Sequence, residues 1–127
     1  FKYKSIYFER KEIGDDRLLY FYGACDIALI HRTKILNSGN VPLAFLMKKV
    51  VVGPDTGNVG VLLREMGNPT FDCNDLSTLY IAVKKALELE QNSNLGVSNY
   101  NFAMQEFNTK KISKALYNLY KEMLCQV

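Results

Sequence analysis

The sequence predicts an α/β fold, with helices on both faces of a parallel sheet, and three observations support it. The apolar runs 25–30 and 50–52 have the length and composition of strands buried on both faces. Segments with apolar residues at helical spacing lie between and after these runs. The resulting alternation of strands and helices is typical of a parallel sheet. We therefore expect three layers in a doubly wound arrangement.

The first helix is predicted to follow Asp15 and Asp16, whose carboxylates suit the positive end of a helix. Its apolar residues are Leu18, Leu19 and Tyr22. After the first strand, 31–36 is predicted to be a loop. The next helix must begin near Gly39, because Pro42 is compatible only with the first turn of a helix.

The second strand is predicted to end at a turn over 53–58. A helix follows and is broken at Gly67-Asn68-Pro69, and 69–71 is a very short edge strand. Asn74 or Asp75 is predicted to cap a long helix. Its apolar stripe is Leu76, Leu79, Tyr80, Val83 and Leu87.

A polar loop over 91–97 is predicted to separate this helix from a last helical region. We interpret 1–127 as a single domain in which 98–127 is a C-terminal helical extension. The aromatic residues of the long helix and of this extension are predicted to pack between helices. They are Tyr80, Phe102, Phe107, Tyr117 and Tyr120.

Composition indicates an ordinary globular domain, since 127 residues with 48% hydrophobic and 23% charged side chains are enough for a core. No apolar run approaches the roughly 20 residues that span a bilayer. The three cysteines lack CxxC spacing, so we expect neither disulfides nor a metal site. A cytosolic protein is the expectation, with at most peripheral contact at the inner face of the membrane. The mild net charge of +3 does not favour a nucleic-acid partner.

The junction between the first strand and the second helix is the main candidate for ligand binding. In parallel sheets, ligands bind outside the carboxyl ends of the strands, where helix N-termini point at them. Small residues at Ser38 and Gly39 leave backbone amides open to a phosphate, and Ser38 and Asn40 add side-chain donors. Arg32 and Lys34 are positioned to neutralise a diphosphate.

A simpler interpretation of the same junction is that Asn37 or Ser38 only caps the helix. His31 is the one histidine of the chain. It contacts a phosphate or a sugar hydroxyl, or it is an ordinary exposed loop residue. No Ser, Cys or Asp has a histidine at the spacing of a nucleophile and its base.

The turn after the second strand is a second candidate for contact with the same ligand. Asp55 either faces a sugar hydroxyl or caps its own turn. The polar turn as a whole is Asp55-Thr56-Gly57-Asn58.

The order of these segments resembles the C-terminal domain of retaining GT-B glycosyltransferases (glycosyl transferases group 1, GT4-like). The matching segments cover nearly the whole chain. They are RLLY at 17–20, ACDIALI at 24–30, AFLMKKVVVGPD at 44–55, DTGNV at 55–59, DLSTLYIAV at 75–83 and the tail 107–124. The resemblance implies a Rossmann-like C-terminal half that binds a nucleotide-diphosphate sugar.

The sequence departs from the family at its Glu-x7-Glu pair, which is associated with the donor. By this register the two positions are Ile35 and Leu43, and NSGN at 37–40 resembles a divergent group. Lys48 also replaces a family glycine. The first βαβ unit and the acceptor-binding N-terminal domain are missing from the sequence, so we expect a fragment that is inactive alone.

The resemblance implies transfer of a sugar from a nucleotide-diphosphate sugar to a saccharide or glycoconjugate acceptor, in cell-surface polysaccharide biosynthesis. No cofactor other than this substrate is implied. The expected partners are the nucleotide sugar, the acceptor and the N-terminal domain of the same chain. Because the two acids are missing, a non-catalytic α/β nucleotide-binding or regulatory module is the alternative.

Overall fold

The computed structural model describes residues 10–125, so the predicted domain limits at 1 and 127 lie outside the described residues. Within this range, three strands are interleaved with six helices. They are α1 (Asp15–Ala24), β1 (Ile27–Leu29), α2 (Asn40–Leu46), β2 (Val50–Pro54), α3 (Gly57–Glu65), β3 (Thr70–Phe71), α4 (Leu76–Asn92), α5 (Leu95–Glu106) and α6 (Thr109–Leu124).

The strands form one parallel sheet in the order β1-β2-β3, which confirms the predicted α/β class. Ala28 lies opposite Val51, and Gly53 lies opposite Thr70. All five residues of β2 are buried, as expected for a central strand of a parallel sheet. The strand order runs in one direction through the described residues, and the doubly wound arrangement stays a prediction.

β1 is shorter and less buried than predicted. Leu29 is 47% exposed, although its register partner Val52 is fully buried. The reason is that α4, which covers Val52, packs mainly over β2 and β3. The expectation of burial on both faces is therefore correct for β2 and wrong for β1.

Helices cover both faces of the sheet and so form three layers. Successive residues of β2 point to opposite faces, and each face has its own core. On one face, α2, α3 and α5 pack against the sheet. The core there consists of Ala28, Ile30, Val41, Ala44, Phe45, Val51, Val59, Leu63 and Ala103. On the other face, α4 packs against the sheet. The smaller core there consists of Val50, Val52, Phe71, Ala82 and Ala86.

α4 begins at the predicted cap, and Leu79 and Val83 of its predicted stripe are half-buried against the smaller core. The Asp75 carboxylate accepts a hydrogen bond from the Ser77 amide at 2.9 Å and one from its hydroxyl, and these bonds lower the pKa of Asp75. Leu76 and Tyr80 of the predicted stripe are 72% and 59% exposed. The buried residues are Ala82 and Ala86, because small side chains let the helix approach the valines of β2.

α5, which contains the first part of the predicted extension 98–127, packs against the core. The loop between α4 and α5 has only two residues, so it is shorter than the predicted loop 91–97. Phe102 packs edge-to-face against Phe45 of α2, with ring centroids 6.3 Å apart, and against Phe107 at 5.7 Å. Packing is confirmed for these two phenylalanines of the predicted set, whereas Tyr117 and Tyr120 are exposed.

Two buried asparagines connect α5 to β2. The amides of Asn68 and Asn99 exchange two hydrogen bonds of 2.9 and 3.0 Å. Asn68 Oδ1 also accepts from the Val51 amide at 2.9 Å, and Asn99 Nδ2 donates to the Lys49 carbonyl at 2.9 Å. β3 begins only at Thr70, so the Asn68 side chain supplies an acceptor for β2 just before β3 starts.

Tyr22 is expected to make the fold sensitive to alkaline pH. Its half-buried hydroxyl donates to the Asn40 carbonyl at 3.4 Å. Burial, and then the nearby Cys25, raise the pKa of Tyr22. Its stabilising contribution is therefore complete below the usual tyrosine pKa of about 10 and is lost as the pH rises through the higher folded value.

We expect Tyr22→Phe to reduce the fall in melting temperature between neutral pH and a pH above the tyrosine range, measured by circular dichroism. Tyr20→Phe is the matched control, since Tyr20 lies on the same helix and is 79% exposed. An equal alkaline fall in melting temperature for the wild type and Tyr22→Phe would contradict this expectation.

Candidate functional site

A cleft opens where β1 ends and the chain runs into α2. Its volume is about 310 Å³, at the lower end of the roughly 300–1,000 Å³ of small-molecule pockets. It is lined by Leu29, Ile30, His31, Arg32, Ile35, Asn37, Ser38, Gly39 and Asn40. The cleft therefore contains most of the first predicted junction.

The loop that forms the cleft is anchored at both ends by buried residues. Ile30 is buried, and its amide donates to the Val52 carbonyl at 2.8 Å, which continues the pairing of β1 with β2. Val41, at the start of α2, is also buried. The polar residues between these anchors are exposed or half-buried and face solvent at the carboxyl end of the sheet.

The charge of the cleft favours an anion. Arg32 and His31 are exposed and line it, and no acidic side chain is among the described residues of its lining. Asn37, Ser38 and Asn40 add amide and hydroxyl groups. A cationic guanidinium among neutral donors is suited to phosphate or carboxylate oxygens.

The turn at the start of α2 is exposed, but part of its hydrogen-bonding capacity is already used. The Asn40 amide donates to the Ser38 hydroxyl at 3.3 Å, and the Val41 amide donates to the Ser38 carbonyl at 3.4 Å. Both bonds are long for N–H···O contacts. The residue before α2 is Gly39 and no side chain caps the helix, so the simpler prediction of a cap at Asn37 or Ser38 is wrong. The Ser38 contacts are local turn bonds, and the space in front of Gly39 is open.

The second predicted junction packs directly against the first. Asn58 Nδ2 donates to Asn37 Oδ1 at 2.9 Å, and the Asn58 amide donates to the Leu36 carbonyl at 2.9 Å. The Thr56 hydroxyl donates to the Thr33 carbonyl at 3.3 Å. These contacts make the turn before α3 a support for the wall of the cleft.

Gly57 allows this close approach. Its φ of +57° is in the left-handed region that side chains disfavour. A Cβ atom there would lie 2.4 Å from the Ile35 carbonyl oxygen and 2.8 Å from the Leu36 Cα atom. Gly57 is therefore needed for packing between the two junctions.

Asp55 and Lys34 do not line the cleft, and neither do Thr56, Gly57 or Asn58. Asp55 forms an ion pair with Arg64 in the last turn of α3. Its amide donates to the Phe71 carbonyl at 2.8 Å. Neither contact is the turn cap that was the alternative prediction for Asp55, because its carboxylate pairs with Arg64 and α3 has no side-chain cap.

The apolar part of the site was not predicted from the sequence. Leu29, Ile30 and Ile35 line the cleft beside the polar loop. Ile35 also packs against the larger core, so it is both a structural residue and part of the cleft surface. The position of Ile30 at the end of the first apolar run could have predicted this apolar lining.

A second, more apolar pocket shares one wall with the cleft. Its volume is about 400 Å³, and it includes Asn37, Ser38 and Gly39 of the cleft lining. Its remaining residues come from α2, from the first two turns of α3 and from the end of α5. They are Val41, Pro42, Asn58, Val59, Leu62 and Phe107.

The two positions at which the resembling family has acids contribute no carboxylate. Ile35 is half-buried at the cleft, and Leu43 is half-buried in α2. Within residues 10–125, no three His, Cys, Asp or Glu side chains are grouped closely enough to hold a metal ion.

Comparison of the chain with protein-family models, with curated proteins and with solved structures finds no match. In the part of the chain that the structure describes, every helix is too short or too polar to cross a bilayer. Functional inference therefore depends on the geometry and charge of the cleft.

Proposed function

We propose that this domain is the donor-binding part of a glycosyltransferase, and that the cleft at the end of β1 accepts the diphosphate of a nucleotide sugar. The observation that carries the proposal is the composition of the cleft. It opens at the carboxyl end of a parallel sheet and combines Arg32 and His31 with neutral donors, without an acid. An anionic ligand is attracted to such a lining, and a carboxylate-rich lining would repel it.

In this proposal the side chains supply most of the attraction for the phosphates. α2 has only seven residues, and two amides of its first turn already bind Ser38. Arg32 neutralises phosphate charge, and the open face of Gly39 lets oxygen atoms approach the backbone. Ser38 and Asn40 orient the ligand through their hydroxyl and amide groups.

The proposed chemical contribution of the domain is stabilisation of the leaving diphosphate. Fixed cations and donors at the position where negative charge develops lower the barrier to transfer. With Ile35 and Leu43 at the family's acidic positions, contacts with ribose and sugar must come from other groups. Activation of the acceptor is assigned to an additional N-terminal domain of the same protein.

The proposal also assigns a fold family, a cellular location and an acceptor class. The sheet is interpreted as the C-terminal half of a doubly wound GT-B fold, acting in the cytosol on a saccharide or glycoconjugate acceptor. Support comes from the parallel β1-β2-β3 order and from helices on both faces of the sheet. Cell-surface polysaccharide synthesis is the proposed pathway context.

Calorimetric titration of the 127-residue chain with uridine- and guanosine-diphosphate sugars tests the proposal. We expect Arg32→Gln to weaken binding by about tenfold or more, since it removes a charge-assisted hydrogen bond. Ser38→Glu should abolish binding, because its carboxylate would face the phosphates. Lys34→Gln is the matched control, as Lys34 lies in the same loop but outside the cleft lining.

Absence of binding to every nucleotide-diphosphate sugar would contradict the proposal. An equal loss of affinity in Lys34→Gln and Arg32→Gln would show that general positive charge attracts the ligand and that the cleft is not its binding site. Binding of nucleotide diphosphates with the same affinity, with and without the sugar, would favour the non-catalytic nucleotide-binding module.

A further inference from the structure

α6 is a well-formed helix with an unusually exposed surface. It begins at Asn108, whose side chain accepts a hydrogen bond from the Lys110 amide at 2.9 Å, and it continues to Leu124. All 16 of its residues are exposed, including its leucines and tyrosines. At about 1.5 Å per residue, α6 presents a surface roughly 24 Å long.

The apolar residues of α6 share one face. Ile112, Leu116, Leu119 and Met123 recur at the i, i+4, i+7 and i+11 spacing of a helical stripe. At about 100° per residue, Tyr117, Tyr120 and Leu124 widen this face to an arc of roughly 160°. The arc also contains Thr109 and Ser113, and it is at least as wide as the stripe with which a helix packs on a core.

One edge of this apolar face is basic. Lys110, Lys114 and Lys121 lie within a narrow arc beyond the tyrosines. Lys111 pairs with Glu106 of α5 at 2.6 Å, which leaves the other three lysines as the main source of positive charge. Glu122 is the one acid of α6.

We propose that α6 binds the surface of an anionic lipid bilayer, lying in the interface with its apolar face toward the acyl chains. A broad apolar face bordered by lysines is typical of interfacial helices. The lysine side chains reach lipid headgroups by extending their apolar stems along the helix. Tyr117 and Tyr120 have the amphipathic rings that suit the headgroup level.

Charge favours a lipid surface over a second copy of the chain. Pairing two copies of α6 would bring lysines near lysines, with Glu122 as the only acid of each helix. Anionic headgroups instead attract each lysine independently. This inference does not rest on the proposed sugar-nucleotide site, because none of its residues lines the cleft.

Co-sedimentation of the full 127-residue chain with vesicles tests the proposal. Vesicles of phosphatidylcholine with phosphatidylglycerol should pellet the protein at low salt, and vesicles of phosphatidylcholine alone should pellet far less. Replacing Lys110, Lys114 and Lys121 by glutamine should weaken binding roughly a hundredfold, since each lysine contributes about fivefold near an anionic surface.

Substitutions at two neighbouring residues separate the contribution of the apolar face to vesicle binding from the effect of an added negative charge. Leu119→Glu should abolish pelleting, whereas Asn118→Glu, which adds the same charge on the polar side, should reduce it only moderately. Both residues are exposed, so the variants should keep the wild-type circular dichroism spectrum.

The absence of pelleting with anionic vesicles would overturn the proposal. So would equal losses in Leu119→Glu and Asn118→Glu. Light scattering that shows a dimer of the wild type, lost in Leu119→Glu and accompanied by no vesicle binding, would assign the face to a second copy instead.

Discussion

Replacing Gly57 by alanine is expected to lower the free energy of unfolding by about 3 kcal/mol. Two effects contribute. The φ of +57° is strained for any residue with a Cβ atom, and that atom would overlap the Ile35 carbonyl oxygen at 2.4 Å. The carbonyl belongs to the backbone of the cleft loop, so relief of the overlap must displace the loop itself.

Two other glycines separate these effects. Gly67 has a φ of +73° with open space around it, so Gly67→Ala reports backbone strain alone and should cost about 1 kcal/mol. Gly39 has a helical φ of −64° and open space, so Gly39→Ala should change stability by less than about 0.5 kcal/mol. Urea denaturation followed by circular dichroism measures all three variants.

The order of the three losses is the critical result. Gly57→Ala should be the most destabilising, followed by Gly67→Ala and then Gly39→Ala. A loss in Gly57→Ala no larger than that in Gly67→Ala would mean that the cleft loop yields without cost, which would contradict the close packing of the two junctions.

Replacing Asn99 by leucine is expected to destabilise the protein by about 3 kcal/mol. The two side chains have similar size, but leucine removes the fully buried donor of the Lys49 carbonyl and both bonds from Asn99 to the Asn68 amide. Asn68 keeps its bonds with the Val51 amide and the Met66 carbonyl. Each unpaired buried polar group costs roughly 1–3 kcal/mol. The Asn68 side chain would also hold the Val51 amide less firmly.

Asn101→Leu is the matched control for this substitution. Asn101 lies on α5 two residues after Asn99 and is exposed, so its replacement should change stability by less than about 0.5 kcal/mol. In a double-mutant cycle, Asn68→Leu and Asn99→Leu should be strongly non-additive, because each removes the partner of the other. Additive losses would show that the two amides act independently.

The sequence predicted the elements whose local signals agree with their packing. Pro42 located the start of α2, and the valine run located β2, because both signals are independent of distant contacts. The carboxyl end of β1 and the start of α2 then located the cleft. The predicted residues His31, Arg32, Asn37, Ser38, Gly39 and Asn40 all line it.

Other features depend on tertiary contacts, which local sequence patterns do not predict. Leucine and tyrosine spacing predicted only part of the packed face of α4. Leu79 and Val83 contact the smaller core, whereas the fully buried positions against the β2 valines are Ala82 and Ala86. The role of Asp55 was open because Arg64, nine residues later, comes close only when α3 forms. No local rule pairs Asn68 with Asn99, which are 31 residues apart in the chain.

The Leu36 carbonyl, which accepts the Asn58 amide, joins the cleft loop to the first turn of α3. A helix that has lost such an acceptor frays from that end. Departure of the loop would therefore loosen α3, and Val59 and Leu63 on that helix are in the larger core. Opening of the cleft is therefore coupled to fraying at the start of α3, and a ligand that holds the loop in place would also stabilise that turn.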